Sequence, residues 1–330
     1  MDRVRLGFIG CGGVAQQHFK GLAELPEAEM VAFCDINAEA AEKSAAQYGG
    51  RAFTSHEAML GDTGLDALYI ILPPFAHGPA EHAAIECGMP FFVEKPVGND
   101  LEVCREIAQE VERRGLLTSV GYMTRYRNSV QAARQIFSGD PPVMAYGGWI
   151  GGAPKGTAPI HSWWIVKEKS GGQLVEQTTH TVDLARYLMG EVAEVHAAAA
   201  RGFVTGVPNY TNDDASVMTL RFRSGAIATI YSACCADGGG GGVTLSVYAR
   251  QHTILFSGWN HTAKIMAAGE DPREIAGEDA IFKIEDAAFL QAVRSADPGT
   301  VRCTYPDGFK TTEVTLAANR SMETGKPVAL

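Results

Sequence analysis

From the N-terminus to about residue 120, short apolar runs alternate with segments whose apolar residues recur at helical spacing. The runs predict strands at Val4–Ile9, Met30–Cys34, Ala67–Leu72, Phe91–Val93 and Leu117–Val120. The segments between them predict helices near Val14–Glu24, Ala38–Tyr48, Pro79–Cys87 and Leu101–Arg114. Because the strands are apolar throughout, the pattern predicts an α/β domain with a doubly wound parallel sheet covered on both faces.

After about residue 140 the apolar residues alternate with polar ones. Strands are predicted at Val143–Gly151, Val192–Phe203, Ala215–Phe222, Ala226–Cys234 and Val243–Phe256, and helices near Val175–Met189, Glu278–Ser295 and Gly308–Thr324. This pattern predicts an α+β domain with a large, mostly antiparallel open sheet, so we divide the chain into residues 1–122 and 123–330. The tract Gly238–Gly242 is expected to be a mobile hairpin tip, either a lid over a ligand or a solvent loop.

A glycine-rich turn joins the first predicted strand to the first helix. Gly10 permits the tight turn, and Gly12 lets the backbone approach a pyrophosphate. The helix beginning near Gly13 directs its free N–H groups at the phosphates. Ala15 replaces the third glycine of the usual fingerprint, at a position that needs only a small side chain. The turn is therefore typical of a Rossmann dinucleotide-binding domain.

An acidic residue, Asp35, closes the second predicted strand. Its carboxylate can accept hydrogen bonds from both ribose hydroxyls of a dinucleotide. Ile36 and Asn37 follow, so no arginine is at hand to receive a 2′-phosphate, which Asp35 would also repel. The sequence therefore predicts NAD as the cofactor and disfavours NADP.

Composition excludes several classes of partner. The 330 residues carry a formal net charge of −10, which disfavours nucleic acid and anionic membrane surfaces. No run approaches the ~18 apolar residues of a membrane span, and the first strand begins too early for a secretory signal peptide. We therefore expect a cytoplasmic protein with a small-molecule substrate.

The seven cysteines are an odd number and form no Cys-x-x-Cys pair, which indicates reduced thiols. Cys34 and Cys87 lie in apolar contexts typical of small hydrophobic side chains. Cys234 and Cys235 would point to opposite faces of a strand, so they are not assigned a metal.

Chemically unusual residues follow three of the predicted strands, at the carboxyl ends where ligands bind in parallel sheets. They are Pro73-Pro74-Phe75-Ala76-His77 after Leu72, Glu94-Lys95-Pro96 after Val93, and Gly121-Tyr122 after Val120. Pro96 fixes φ near about −65°, so the Lys95 ammonium is aimed. A positive charge there would stabilise the alkoxide character that develops on a carbinol oxygen as hydride leaves carbon. The alternative is a solvated surface lysine.

Glu176, His180 and Asp183 fall at i, i+4 and i+7, so one continuous helix would place them on one face. His180 is the candidate base because imidazole titrates near pH ~6.5, and a structural histidine is the alternative. One carboxylate would orient the imidazole while the other binds substrate. The same spacing suits metal ligation, but no second cluster completes a coordination shell, so no metal is expected.

Together these motifs resemble the Gfo/Idh/MocA family, named for glucose-fructose oxidoreductase, inositol dehydrogenase and rhizopine catabolism. The matching stretches are FIGCGGVA with Asp35, the run Pro73 to His77, Glu94-Lys95-Pro96, and GGQLVEQTTHTVDLARYLMG from Gly171 to Gly190. The resemblance covers essentially the whole chain. It departs from many members at Glu176, where they carry Asp, at Thr178, where they carry Gly, and at Met123, where Asn is frequent.

The resemblance implies an NAD(P)-dependent dehydrogenase of sugars, polyols or related metabolites. It also implies a C-terminal substrate-binding domain whose open sheet builds a homodimer or homotetramer. The expected cofactor contacts are Gly10, Cys11, Gly12, Gly13, Val14, Asp35, Ile36, Leu72, Pro73, Pro74, His77, Glu94 and Lys95. The expected catalytic residues are Lys95, His180 and Glu176, and the expected substrate contacts are these three with Tyr122, Arg125, Trp163 and Trp164.

Several of these residues have a structural alternative. His77 lines the nicotinamide pocket or belongs to a helix N-terminal cap. Trp163 and Trp164 offer an indole face to the C–H surface of a sugar ring, or else belong to the domain core or a subunit interface. Arg125 and Tyr126 are expected to line the same cleft. His196, His252 and His261 show no partner pattern and are interpreted as structural.

We therefore expect an NAD-dependent dehydrogenase acting on a hydroxyl of a sugar, inositol or similar polyol. One alternative is a cofactor-binding regulator without turnover, but such a protein needs neither Lys95 nor His180. Another is a redox-neutral enzyme that oxidises a sugar carbon transiently and retains its NAD. The fold alone does not fix the substrate.

Overall fold

The structure, a computed structural model, describes residues 3–61, 64–155 and 159–330 and divides the chain into two units. The first unit comprises the residues up to Met123 together with Ala280–Phe309, and the second comprises Thr124–Asp279 together with Lys310–Leu330. A boundary at residue 122 alone therefore misses one return of the chain to the first unit. The returning segment contains most of the helix predicted near Glu278–Ser295, whose apolar side chains pack in the first unit.

A parallel sheet forms the centre of the first unit, and its described strands lie in the order β3-β2-β1-β4-β5-β6. The strands are β1 (Val4–Ile9), β2 (Ala28–Cys34), β3 (Arg51–Phe53), β4 (Ala67–Ile70), β5 (Phe91–Val93) and β6 (Thr118–Val120). The sequence does not predict β3, because only three residues pair and two of them are exposed. The order reverses between β1 and β4, which is the switch point where such sheets bind dinucleotides.

Helices cover this sheet, as the continuous apolar strands require. They are α1 (Gly13–Ala23), α2 (Ala38–Tyr48), α3 (His56–Leu60), α4 (Pro79–Glu86), α5 (Leu101–Arg114) and α10 (Ile281–Ser295). Phe289 of α10 packs edge to face on Tyr69 of β4 and Phe92 of β5. Burial of such rings stabilises a fold by about 1.5–3 kcal/mol each, which explains why α10 belongs to this unit.

The second unit contains a mixed sheet in which the described strands lie in the order β14-β13-β12-β11-β7-β10-β9-β8-β15. The strands are β7 (Met144–Gly151), β8 (Val192–Ala200), β9 (Ala215–Phe222), β10 (Ile227–Cys234), β11 (Gly242–Tyr248), β12 (His252–Ser257), β13 (Thr262–Ala267), β14 (Arg273–Ile275) and β15 (Val328–Ala329). Only β7 and β10 pair in parallel among these strands, which confirms a mostly antiparallel sheet. The strand predicted at Val243–Phe256 is two strands joined by a turn, β11 and β12.

The prediction of a hairpin tip at Gly238–Gly242 is wrong. This tract leads from β10 to β11, but β7 lies between those two strands and pairs with both. The tract is therefore a crossover connection over the end of β7. A run of glycines indicates a turn, but it does not show which strand lies between the two strands that it joins.

Helices cover one face of this second sheet. They are α6 (Asn128–Gly139), α7 (Lys167–Ser170), α8 (Gln173–Glu176), α9 (Thr179–Met189) and α11 (Tyr305–Thr324), which begins in the first unit. Val182 and Leu188 of α9 join Leu245 and Ile230 of the sheet in one apolar core. None of the described helices is long and apolar enough to cross a membrane.

Candidate active site

The turn after β1 leaves backbone groups open for a dinucleotide. Gly10 has φ of 99°, and a Cβ there would collide with the carbonyl oxygen of Ile71, so only glycine fits. Gly12 caps α1 without a side-chain hydrogen bond, and a Cβ at Gly12 or Gly13 would meet no other atom. Gly12 and Gly13 are exposed, so a pyrophosphate can reach the start of α1. Val14, which follows, is exposed.

Asp35 is held by the backbone on both sides. Its Oδ2 accepts from the Cys11 N–H at 2.8 Å, and its Oδ1 accepts from the Asn37 N–H at 2.8 Å. Each oxygen keeps lone pairs for a ribose hydroxyl, so the residue fits an NAD ribose. The next side chain, Ile36, is 98% exposed. Burial and the nearby Asp35 carboxylate raise the pKa of the Cys11 thiol to about 12, so Cys11 is a packing residue and not a nucleophile.

His77 holds the loop that begins at Leu72. Its Nδ1 lies 2.5 Å from Oε1 of Glu81 on α4, and its Nε2 lies 3.1 Å from the Leu72 carbonyl oxygen. Glu81 also accepts from the Gly78 N–H at 2.7 Å. Although burial opposes it, His77 lowers the pKa of Glu81. Both ring nitrogens of His77 are thus hydrogen-bonded within the protein. This favours the interpretation of His77 as a structural residue over a role in the nicotinamide pocket.

Buried side chains anchor the tripeptide Glu94-Lys95-Pro96, which follows β5. Glu94 is buried, its Oε2 accepts from the Lys95 N–H at 3.1 Å, and a Cβ at Gly121 would collide with its carboxylate. Its Oε1 lies 3.1 Å from Nε2 of His18 on α1. Lys95 is half-buried, and the Lys95–Pro96 peptide bond is cis. The backbone that carries the Lys95 ammonium is therefore fixed by a buried carboxylate.

His18 completes this anchor and was missed by the sequence reasoning. Its Nδ1 lies 2.7 Å from Oδ1 of Asp286 on α10, and both side chains are fully buried. Burial lowers the pKa of the His18 imidazole, but Asp286 and Glu94 outweigh burial and raise it from 6.5 to about 10. The partners are 268 residues apart in sequence, so no local pattern could have paired them.

The continuous helix predicted over Val175–Met189 is wrong. It divides at residues 177–178 into α8, which ends at Glu176, and α9, which begins at Thr179 and carries His180 and Asp183. The Thr178 hydroxyl donates to Ser232 Oγ on β10 at 2.8 Å, which ties the break to the sheet. Glu176 therefore does not share a helix with His180. Glu176 is half-buried and His180 is buried.

Asp183, one of the two carboxylates expected to orient His180 or to bind substrate, is paired with Arg125. Arg125 Nε and Nη2 donate to the two Asp183 oxygens at 2.8 and 2.6 Å, and both side chains are buried. The Thr311 hydroxyl donates to Oδ1 of Asp183 at 2.9 Å, and the Arg125 guanidinium stacks 4.7 Å from the Tyr187 ring centroid. The Arg125 guanidinium is thus engaged inside the second unit, which favours a positioning role over direct substrate contact.

Trp163 and Trp164 had two interpretations, an indole face for a sugar ring and a place in the domain core or a subunit interface. Trp164 is buried in a small apolar cluster with Cys234, and Trp163 packs against the same cluster. This placement favours the core alternative for both. Instead, the ring of Trp259 lies 6.1 Å from the His180 ring, and Trp149 lies 5.8 Å from Trp259. The sequence reasoning missed these two residues, because each is an isolated tryptophan in a strand or turn pattern.

The remaining candidates are mostly enclosed. Tyr122 and Tyr126 are buried. His252 Nδ1 lies 2.9 Å from Asp140, and His261 Nδ1 lies 2.9 Å from the Trp259 carbonyl oxygen, so both have structural partners. Within the described ranges, no three His, Cys, Asp or Glu side chains are grouped so that they could hold a metal ion.

Comparisons with known proteins identify the family of this chain. Residues 4–122 match a family model described as an oxidoreductase family with an NAD-binding Rossmann fold, and residues 143–255 match the GFO/IDH/MocA C-terminal domain. The scyllo-inositol 2-dehydrogenase (NAD(+)) of Bacillus subtilis (strain 168) is 27% identical, over 99% of this chain and 96% of that protein. Inositol 2-dehydrogenase 3 of Saccharopolyspora erythraea is 31% identical, over 68% of this chain and 64% of that protein.

The fold is also that of a solved structure. The crystal structure of an NAD binding oxidoreductase from Klebsiella pneumoniae superposes with a TM-score of 0.88 at 23% identity, over 100% of this chain and 99% of that one. At this level of identity the likeness concerns the fold alone.

Proposed function

The chain belongs to the Gfo/Idh/MocA family of NAD-binding oxidoreductases, and on this premise we propose that it is an NAD-dependent dehydrogenase of a secondary hydroxyl on a sugar, inositol or related polyol. The observation that carries the proposal is the anchored Lys95. Its backbone N–H donates to Glu94, the Glu94 carboxylate is hydrogen-bonded to His18, and His18 is hydrogen-bonded to Asp286. A binding module that only holds a dinucleotide has no need of a lysine whose backbone is anchored in this way.

NAD supplies the hydride acceptor when it is bound. Residues of the chain would then stabilise the developing charge and accept the proton. Lys95 stabilises negative charge on the substrate oxygen as the C–H bond breaks, because a fixed cation acts on charge that develops only in the transition state. His180 accepts the proton of the same hydroxyl, which leaves the substrate as a ketone.

The other candidates take supporting roles in this proposal. Glu176 is half-buried and accepts a hydrogen bond from a second substrate hydroxyl. Arg125 and Asp183 hold the start of the second unit's helices in place through their buried bidentate pair. Their role is positioning, since both are engaged with each other.

The test is a purified-protein assay with NAD and a panel of inositols, pyranoses and open-chain polyols. We expect NADH absorbance to rise with at least one secondary alcohol, and the product to be the matching ketone. Tightly retained NAD together with altered substrate and no NADH would instead indicate a redox-neutral enzyme. Binding of NAD without any change in any substrate would indicate a regulator.

We also propose that the protein is a homodimer or homotetramer through the uncovered face of the second sheet. Met144 and Tyr146 of β7, Val217 of β9 and Ile227 of β10 are exposed on this face. Adjacent exposed apolar side chains on one sheet face are typical of subunit contacts. Light scattering of the purified protein, compared with a Tyr146→Glu/Val217→Glu variant, tests this assembly.

A further inference from the structure

Trp259 combines exposure with proximity to the candidate base. It lies in the turn between β12 and β13, and its side chain is 46% exposed. Its ring lies 6.1 Å from that of His180 at an interplanar angle of 81°, and 5.8 Å from that of Trp149 at 66°. The second unit therefore presents an indole surface directly beside His180.

The backbone of this turn is held by buried groups. The Trp259 carbonyl oxygen accepts from Nη2 of Arg127 at 3.2 Å and from Nδ1 of His261 at 2.9 Å. Arg127 is fully buried, and its Nη1 donates to the Glu278 carbonyl oxygen at 2.6 Å. Burial lowers the pKa of His261 to about 4, so a neutral imidazole donates this hydrogen bond. These hydrogen bonds to buried side chains hold the backbone of the turn in place.

The neighbours of Trp259 in the turn are also fixed. The Asn260 Nδ2 donates to Oδ1 of Asp279 at 2.7 Å, and the Gly258 N–H donates to the Val243 carbonyl oxygen at 2.9 Å. The exposure of the indole is therefore not the result of a loose loop. An indole side chain loses little conformational entropy when a ligand covers it, because few of its bonds can rotate.

We infer that Trp259, backed by Trp149, forms the binding platform for one face of a ring-shaped substrate, a pyranose or a cyclitol. This inference rests on the proposed function and narrows its substrate class. Such rings present an apolar C–H face and carry their hydroxyls at the edge, so a ring stacked on Trp259 directs edge hydroxyls toward His180. An open-chain polyol has no flat face and gains less from the indole.

The experiment compares Trp259→Ala and Trp259→Phe with the unchanged protein. Dissociation constants of the NADH complex for myo-inositol, D-glucose, D-xylose and D-sorbitol are measured by calorimetry, and KM and kcat are measured with NAD wherever turnover occurs. Phe203→Ala is the matched control, because Phe203 is an exposed aromatic residue of the same unit and is not among the candidate site residues.

We expect Trp259→Ala to weaken binding of the ring compounds by about tenfold, equivalent to about 1.4 kcal/mol, and binding of D-sorbitol by less than about twofold. Trp259→Phe retains a flat ring and should lose less. Equal weakening for ring and open-chain compounds, unchanged ring binding, or no ring binding by the unchanged protein overturns the inference. Ring binding that depends on Trp259 without NADH formation would refute the dehydrogenase and leave the platform standing.

Discussion

His18 Nδ1 lies 2.7 Å from Oδ1 of Asp286, and this fully buried pair supports the Glu94 carboxylate to which the Lys95 backbone is bonded. The pair joins α1 to α10, two helices from opposite ends of the sequence. Removing one partner of a buried pair leaves an uncompensated charge, whereas replacing both by neutral groups is far better tolerated. The pair therefore stabilises the loop of Lys95 in a way that depends on the charge of His18.

The first prediction concerns pH and stability. His18 keeps its proton to about pH 10 in the folded protein and to 6.5 in the unfolded chain. Its stabilisation is thus complete below pH 6.5 and is lost as the pH rises toward 10, by up to about 1.4 kcal/mol per pH unit. In denaturant unfolding, the unchanged protein should have a higher free energy of unfolding than the His18→Gln/Asp286→Asn variant. This difference should shrink as the pH rises across this range. A difference that stays constant with pH would contradict a charged His18.

The second prediction concerns the choice of cofactor. Asp35 repels a 2′-phosphate, so kcat/KM should favour NAD over NADP by at least ~10-fold, about 1.4 kcal/mol. Asp35→Ser should narrow this ratio. Asp35→Asn is the matched control, because it removes the charge but keeps an acceptor for the Cys11 or Asn37 N–H. Equal efficiency with both cofactors in the unchanged protein would show that Asp35 does not select between them.

The third prediction separates chemistry from binding at Lys95. Lys95→Met keeps an unbranched side chain of similar length without charge, and Lys95→Ala removes the chain. Both should lower kcat by ~10²–10³-fold, because the ammonium acts on charge that develops in the transition state. The dissociation constant for NADH, measured by fluorescence, should change little. A variant with normal kcat and a raised KM would make Lys95 a binding residue only.

The fourth prediction assigns the base by mutation. If neutral His180 takes the hydroxyl proton, kcat/KM for oxidation should rise with pH and then level off. The side chain in His180→Asn is polar but cannot accept a proton. The rise of kcat/KM with pH should therefore disappear in this variant, and the rate should fall by ~10²-fold or more. If the variant kept the same rise of kcat/KM with pH at a comparable rate, another group would be the base, and Lys95 in its neutral form would be the next candidate.

The sequence determined the glycine-rich turn, the carboxylate after β2 and five of the six described strands of the first unit. The Gly10 turn, the Asp35 carboxylate and the apolar strands are local signals, because each depends on residues near it in the chain. For the same reason the position of Lys95 at the end of β5 follows from the sequence. The sequence did not predict β3, because two of its three residues are exposed and form no apolar pattern.

Only the tertiary structure decided the contacts between distant segments. The pairing of His18 with Asp286, the pairing of Arg125 with Asp183, and the placement of Trp259 beside His180 join residues far apart in sequence. Helical spacing suggested that Glu176 and Asp183 lie on one helix face with His180 and that one of them orients its ring. The break before Thr179 removes Glu176 from that helix, and Arg125 holds Asp183 in a bidentate pair. Local periodicity specifies which face a side chain takes, whereas its partner is chosen by the packing of the whole unit.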